Sequence, residues 1–185
     1  MYGLVNRAIQ ELVVERFGAQ TWAQIAERAG LDEPVFLSHQ GYRDSLTYDL
    51  VASASEVLDL APELVLREFG RYWIAHTGRV GYADLIAGCG STLGEFLENL
   101  PGLHTRVLLA FPELTPPEFS TLVDGEGSAR IEYWSDRPGL APMVEGLLEG
   151  LGELFGQEVV VQAAPWNADG HAVFTMNWAA REAAA

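Results

Sequence analysis

Phe119-Ser120-Thr121-Leu122-Val123, then Asp124-Gly125-Glu126-Gly127, then Ser128-Ala129-Arg130-Ile131-Glu132-Tyr133-Trp134-Ser135 is the stretch that decides the fold class. Two runs rich in β-branched and aromatic residues flank a turn-forming cluster, which predicts a pair of strands. Upstream the pattern is helical. Tyr2 to Phe17 places Leu4, Val5, Ala8, Ile9, Leu12 and Val13 on one helix face, and Gly18 ends the run. Helices are also expected at Trp22 to Arg28, at about Ser45 to Leu58, and from Pro62 to about His76. Pro34 lies in an irregular segment, and Tyr82 to Ala87 reads as a short helical piece. Ser91, with Glu95 nearby, is a candidate cap for another helix. Pro101-Gly102 is expected to interrupt the pattern before a further stretch, Leu103 to Phe111. Pro112, Pro116 and Pro117 then mark a loop. Downstream of the strand pair, Leu140 to Phe155 reads as a helix. Val159 to Ala164 and Ala172 to Trp178 read as a closing pair of strands around a 165–170 loop, with a frayed Ala-rich end. Helices followed by β-β-α-β-β predict an α+β fold.

The chain has 185 residues, which suggests one domain, or at most two small ones, with a sizeable core. With 26 acidic against 11 basic residues, its net charge of −15 disfavours nucleic acid and anionic membrane as partners. One cysteine, Cys89, precludes an internal disulfide and a cysteine-based zinc site. No leader-like or 18-residue apolar run stands out, so a cytoplasmic location is expected.

Nucleophile elbows, phosphate-binding loops and dinucleotide fingerprints are missing, and no catalytic set emerges. His104 is the candidate of interest. It sits among Leu103, Val107, Leu108 and Leu109 on an expected helix. There a neutral imidazole could coordinate metal through one nitrogen and donate a hydrogen bond from the other. A half-buried helix histidine with a local hydrogen bond is the other reading. In Tyr133-Trp134-Ser135-Asp136-Arg137, strand alternation would aim a phenol, a hydroxyl and a guanidinium at one spot, a set suited to carboxylates. A solvent-exposed strand end is the alternative. Pro116-Pro117 either makes a loop or presses on a flat ligand.

These residues, in this order, resemble the H-NOX family of haem-nitric oxide/oxygen-binding domains. Members occur as the haem domain of the soluble guanylate cyclase β subunit and as stand-alone bacterial, notably cyanobacterial, sensors. The likeness rests on Met1-Tyr2-Gly3-Leu4-Val5-Asn6, Leu46 to Ser55, Phe96-Leu97-Glu98-Asn99-Leu100 followed by His104, Tyr133-x-Ser135-x-Arg137, and Leu140 to Val144. It extends to about Val161.

The resemblance implies a single domain. A distal helical part of about residues 1–60 would precede a proximal part with an antiparallel sheet, about 61–185, with haem b buried between them. His104 would be the axial iron ligand. Tyr133, Ser135 and Arg137 would hold the propionates, and Pro117 would distort the macrocycle. Val5, Ile9, Trp73, Met143 and Leu147 would line the distal pocket. Oxygen-binding relatives carry a distal tyrosine where Met143 stands here, and methionine has no donor hydrogen. The implied ligands are therefore nitric oxide and carbon monoxide, with weak or no dioxygen binding. Without catalysis of its own, the domain would signal to a separate protein, a histidine kinase or diguanylate cyclase. A haem enzyme such as a peroxidase and a haem-free interaction module are the competing readings.

Overall fold

The computed structural model describes residues 1–32, 35–78, 83–110, 114–125, 127–164 and 170–181. The expectations for Pro34, Tyr82, Phe111, Pro112, Glu126, the 165–169 loop and the 182–185 tail lie outside these residues. The chain divides into two compact units, Met1–Phe69 and Gly70–Ala185.

In the first unit, α1 (Gly3–Phe17), α2 (Ala19–Arg28) and α3 (Asp44–Leu58) pack on one another. Gly18, at φ +88°, makes the corner between α1 and α2 in a backbone region that side chains rarely adopt. The expected apolar face of α1 is buried at Ala8, Ile9, Leu12 and Val13, and it meets a core that includes Ile25, Leu50 and Ala54. Burying each large aliphatic side chain contributes about 1.5–3 kcal/mol. Inside this core the Thr47 hydroxyl donates to Asn6 Oδ1 at 2.7 Å. α4 (Pro62–Tyr72) starts on its proline, as expected, but the regular helix stops short of His76. A π-helical turn, Trp73–Gly78, takes over.

The second unit is built on a four-stranded sheet. Its strands are β1 (Glu118–Asp124), β2 (Ser128–Trp134), β3 (Gln157–Ala163) and β4 (His171–Ala180). Their order is β1-β2-β4-β3, with every neighbour antiparallel. Alternation buries Ala129, Ile131 and Tyr133 of β2 and Ala172, Phe174 and Met176 of β4 on one face. α6 (Leu93–Ala110) covers β1, and α7 (Ala141–Leu154) covers β3 and β4; a short α5 (Ala83–Ala87) precedes α6. The π turn packs on α7. The end of α4 comes so close that a Cβ on Gly70 would lie 2.2 Å from the Met143 carbonyl oxygen.

Three local expectations are corrected here. The expected break at Pro101 does not occur: α6 runs straight through it. The proline removes the N–H that would have bonded to the Leu97 carbonyl, and the Thr121 hydroxyl of β1 supplies the donor instead, at 2.8 Å. The cap of α6 is Thr92 rather than Ser91, since Thr92 Oγ1 accepts from the Glu95 N–H at 3.2 Å. The Glu95 carboxylate reaches back to the Ser91 N–H (2.7 Å) and hydroxyl (2.9 Å), closing the first turn in the manner of a capping box. Finally, β2 ends at Trp134, so Ser135 and Arg137 are not strand residues. The Ser135 hydroxyl oxygen accepts the Arg137 N–H at 3.1 Å, which bends the chain ahead of Pro138. No helix of the described residues is long and apolar enough to cross a membrane.

Candidate functional site

Because α6 continues past Pro101, it carries His104 onto the end of the sheet where β1 begins. The imidazole is half-buried, and its Nδ1 lies 2.9 Å from the Pro117 carbonyl oxygen. A carbonyl can only accept, so Nδ1 carries the proton and Nε2 holds the lone pair. Burial pushes the His104 pKa below the ordinary histidine value, only partly opposed by the Pro117 bond, and this favours the neutral ring. Nε2 has no hydrogen-bond partner among the described residues. A neutral imidazole with one nitrogen tied to a backbone acceptor and the other open is the arrangement of an oriented metal ligand. Groups of three or more metal-ligating side chains are absent among the described residues.

Pro117 thus enters the site through its carbonyl, two residues before Phe119 on β1. The Phe119 ring lies 5.5 Å from the His104 ring and 5.3 Å from the Tyr133 ring. Tyr133, only 2% exposed, points into the core towards Phe119 and Phe174. Burial raises its phenol pKa, while a side-chain hydrogen bond with Ser135 and the charge of Arg137 pull it back. Phenol, hydroxyl and guanidinium are therefore neighbours. They are brought together by the bend after Trp134 rather than by strand alternation. Arg137 Nη1 donates to the Thr115 carbonyl at 2.7 Å, which anchors the loop ahead of Pro116-Pro117 to the same motif. Ser135 and Arg137 open onto a cleft of about 360 Å³ flanked by the carboxylates of Glu118 and Asp136.

The donor set fits haem. A single open imidazole nitrogen suits an iron already held by a porphyrin, and a fork of guanidinium N–H groups beside two hydroxyls suits carboxylate tails. Of the expected distal residues, Val5 and Ile9 lie four apart on α1 of the first unit, with Ile9 buried. Trp73 opens the π turn, and Met143 and Leu147 lie one turn apart on α7; all three are half-buried. Sequence reasoning missed the backbone partners at Pro117 and Thr115 and the ring of Phe119. A backbone acceptor carries no residue-type signal, and the placing of Phe119 opposite Tyr133 depends on strand register.

The profile of a family described as haem-NO-binding matches residues 2–163. Soluble guanylate cyclase gcy-32 of Caenorhabditis elegans is 30% identical over 153 residues, covering 80% of this chain and 22% of that protein. Soluble guanylate cyclase 89Db of Drosophila melanogaster is 25% identical over 161 residues, covering 86% and 24%. The chain thus spans about a quarter of the length of these curated relatives. Among solved structures, a mutant H-NOX protein from S. oneidensis in the Fe(II) state superposes with a TM-score of 0.88 at 18% identity, over 98% of both chains. The unliganded Fe(II) form of an H-NOX protein from K. algicida superposes with a TM-score of 0.84 at 20% identity, over 100% of both. These two share the fold. The family profile takes in every residue from His104 to Arg137, and on that match the chain belongs to the haem-NO-binding (H-NOX) family, whose domains are haem-binding gas sensors rather than catalysts.

Proposed function

We propose that this domain binds haem b through Nε2 of His104, takes nitric oxide and carbon monoxide but little or no dioxygen, and signals to a separate protein such as a histidine kinase or diguanylate cyclase. The observation that carries the reading is the 2.9 Å contact between His104 Nδ1 and the Pro117 carbonyl, which leaves Nε2 as the open nitrogen of a neutral ring. Ferrous haem supplies an iron with a position for a diatomic gas. Every other task falls to this chain. His104 would hold the iron through Nε2. Tyr133, Ser135 and Arg137 would neutralise and orient the propionates, with the Arg137 fork supplying the charge-assisted bonds. Pro117, whose carbonyl bonds to His104, would lie against the macrocycle and help distort it. Trp73, Met143 and Leu147 would wall the gas side. Met143 offers no donor hydrogen, so dioxygen, which gains most from a distal hydrogen bond, is disfavoured relative to the other two gases.

Signalling needs a mechanical link from the ligand to the fold. Here the link is short. A shift of His104 pulls on the Pro117 carbonyl and hence on the start of β1.

Purified wild-type protein should show a Soret band that moves on reduction and again with nitric oxide and with carbon monoxide, but not with air in the ferrous state. His104→Ala should purify largely without haem and regain it when imidazole is added. Haem bound in full by His104→Ala without imidazole, or a wild-type protein that refuses hemin, would overturn the reading.

A further inference from the structure

The phenyl ring of Phe119 lies between the two halves of the proposed site. Its centroid is 5.5 Å from that of His104 with the planes 40° apart, and 5.3 Å from that of Tyr133 with the planes 45° apart. Both separations lie in the range where tilted aromatic pairs attract. Phe119 and Tyr133 are also direct partners across the β1–β2 ladder, so their side chains share a sheet face and their spacing is set by backbone hydrogen bonds. On its far side Tyr133 packs against Phe174 at 6.3 Å, and its β4 partner is the small Ala172. The sheet therefore backs Phe119 firmly. His104 comes from another element, α6, and its backbone does not belong to the ladder.

The hydrogen bond from Nδ1 to Pro117 acts along one direction and does not by itself fix the tilt of the imidazole plane about that axis. A second contact off that axis removes the freedom, and the Phe119 ring is placed to make it.

We infer that Phe119 is a positioning residue for the haem ligand: its ring fixes the rotation of the His104 imidazole about the Pro117 bond and ties that rotation to Tyr133. The inference rests on the proposed haem ligation by His104. It assigns to one apolar side chain the coupling between the iron ligand and the propionate-binding motif. Removing the ring then does more than loosen the core. It broadens the range of imidazole orientations at the iron, and it removes the path by which a change at Tyr133 reaches His104.

The test uses the haem-loaded chain with Phe119→Leu, Phe119→Met and Phe119→Tyr. Leucine and methionine keep an apolar side chain without the ring; tyrosine keeps the ring. Resonance Raman spectra of the ferrous proteins should show the iron–histidine stretching band shifted and broadened in the leucine and methionine variants and returned to its wild-type position in the tyrosine variant. Haem transfer to an acceptor protein should speed up about 2- to 10-fold in Phe119→Leu, the rate equivalent of one aromatic contact. Combined with Tyr133→Phe, Phe119→Leu should act less than multiplicatively, because the two changes break one connected path. In the haem-free protein, nitrogen NMR of the His104 ring should show the Nδ1-protonated form less populated in Phe119→Leu. An unchanged stretching band in both the leucine and methionine variants, with wild-type melting behaviour, overturns the inference and leaves haem ligation by His104 standing. If the wild-type band itself is absent, it is the ligation that has failed.

Discussion

Replacing Thr121 by valine tests how α6 delivers His104 to the sheet. Valine keeps the shape and volume of threonine and deletes only the hydroxyl, so packing changes little. What is lost is the 2.8 Å bond to the Leu97 carbonyl, which Pro101 cannot supply from within the helix. Leu97 is fully buried, so its carbonyl has no ready access to water. Leaving such an acceptor unmet costs about 1–2 kcal/mol, within the range for a buried polar group stripped of its partner. For a chain of this length that corresponds to a fall of roughly 2–8 °C in melting temperature. Urea denaturation followed by circular dichroism should show a lower midpoint at constant slope. The decisive comparison is with Pro101→Ala. Alanine restores the helical N–H to Leu97, and it is the better helix former by about 3 kcal/mol. In that background Thr121→Val should cost little, so the two changes should couple by about 1 kcal/mol. If Thr121→Val is as costly with alanine at 101 as with proline, the Leu97 carbonyl is not what the hydroxyl serves, and the account of the unbroken helix is wrong.

Further outcomes follow from other contacts. Gly70→Ala sets a Cβ about 2.2 Å from the Met143 carbonyl oxygen, a backbone atom that cannot swing away. Thermal melts should show a loss of about 1–3 kcal/mol, typical of overpacking. Glu95 bonds to Ser91 hold its carboxyl below the ordinary glutamate range. With the folded value depressed, this stabilisation is present above the unfolded value of about 4.3 and is lost as pH falls through the folded one. Glu95→Gln should therefore lower stability at neutral pH and flatten the acid limb of a stability–pH curve; an unaltered limb refutes the assignment. Cys89 is 1% exposed and burial raises its thiol pKa, against the opposing pull of Arg106. A thiol reagent should label it slowly in the native protein and rapidly once denaturant is added, and rapid native labelling would show the burial to be wrong.

The periodicities that predict α1 and the strand pair are local, and they survive folding because a helix face or a strand face is buried as a unit. His104 was legible for the same reason: an imidazole among leucines and valines on a helix is either buried idle or buried for use. Tyr133, Ser135 and Arg137 were legible as a donor set, though not through the geometry that unites them, which is a serine-closed bend beyond the end of β2. What lay beyond the sequence was the identity of partners far along the chain. Pro101 reads as a helix breaker until Thr121, 24 residues on from Leu97, supplies the missing donor. Arg137 finds the Thr115 carbonyl 22 residues back, and His104 finds the carbonyl of Pro117. Phe119 meets both His104 and Tyr133 only because the register of β1 on β2 sets it opposite the tyrosine. Residue type and spacing determine which groups must be buried; which atom satisfies each buried group is decided only when helix and sheet pack, because hydrogen bonds and ring contacts act over a few ångströms of space rather than along the chain.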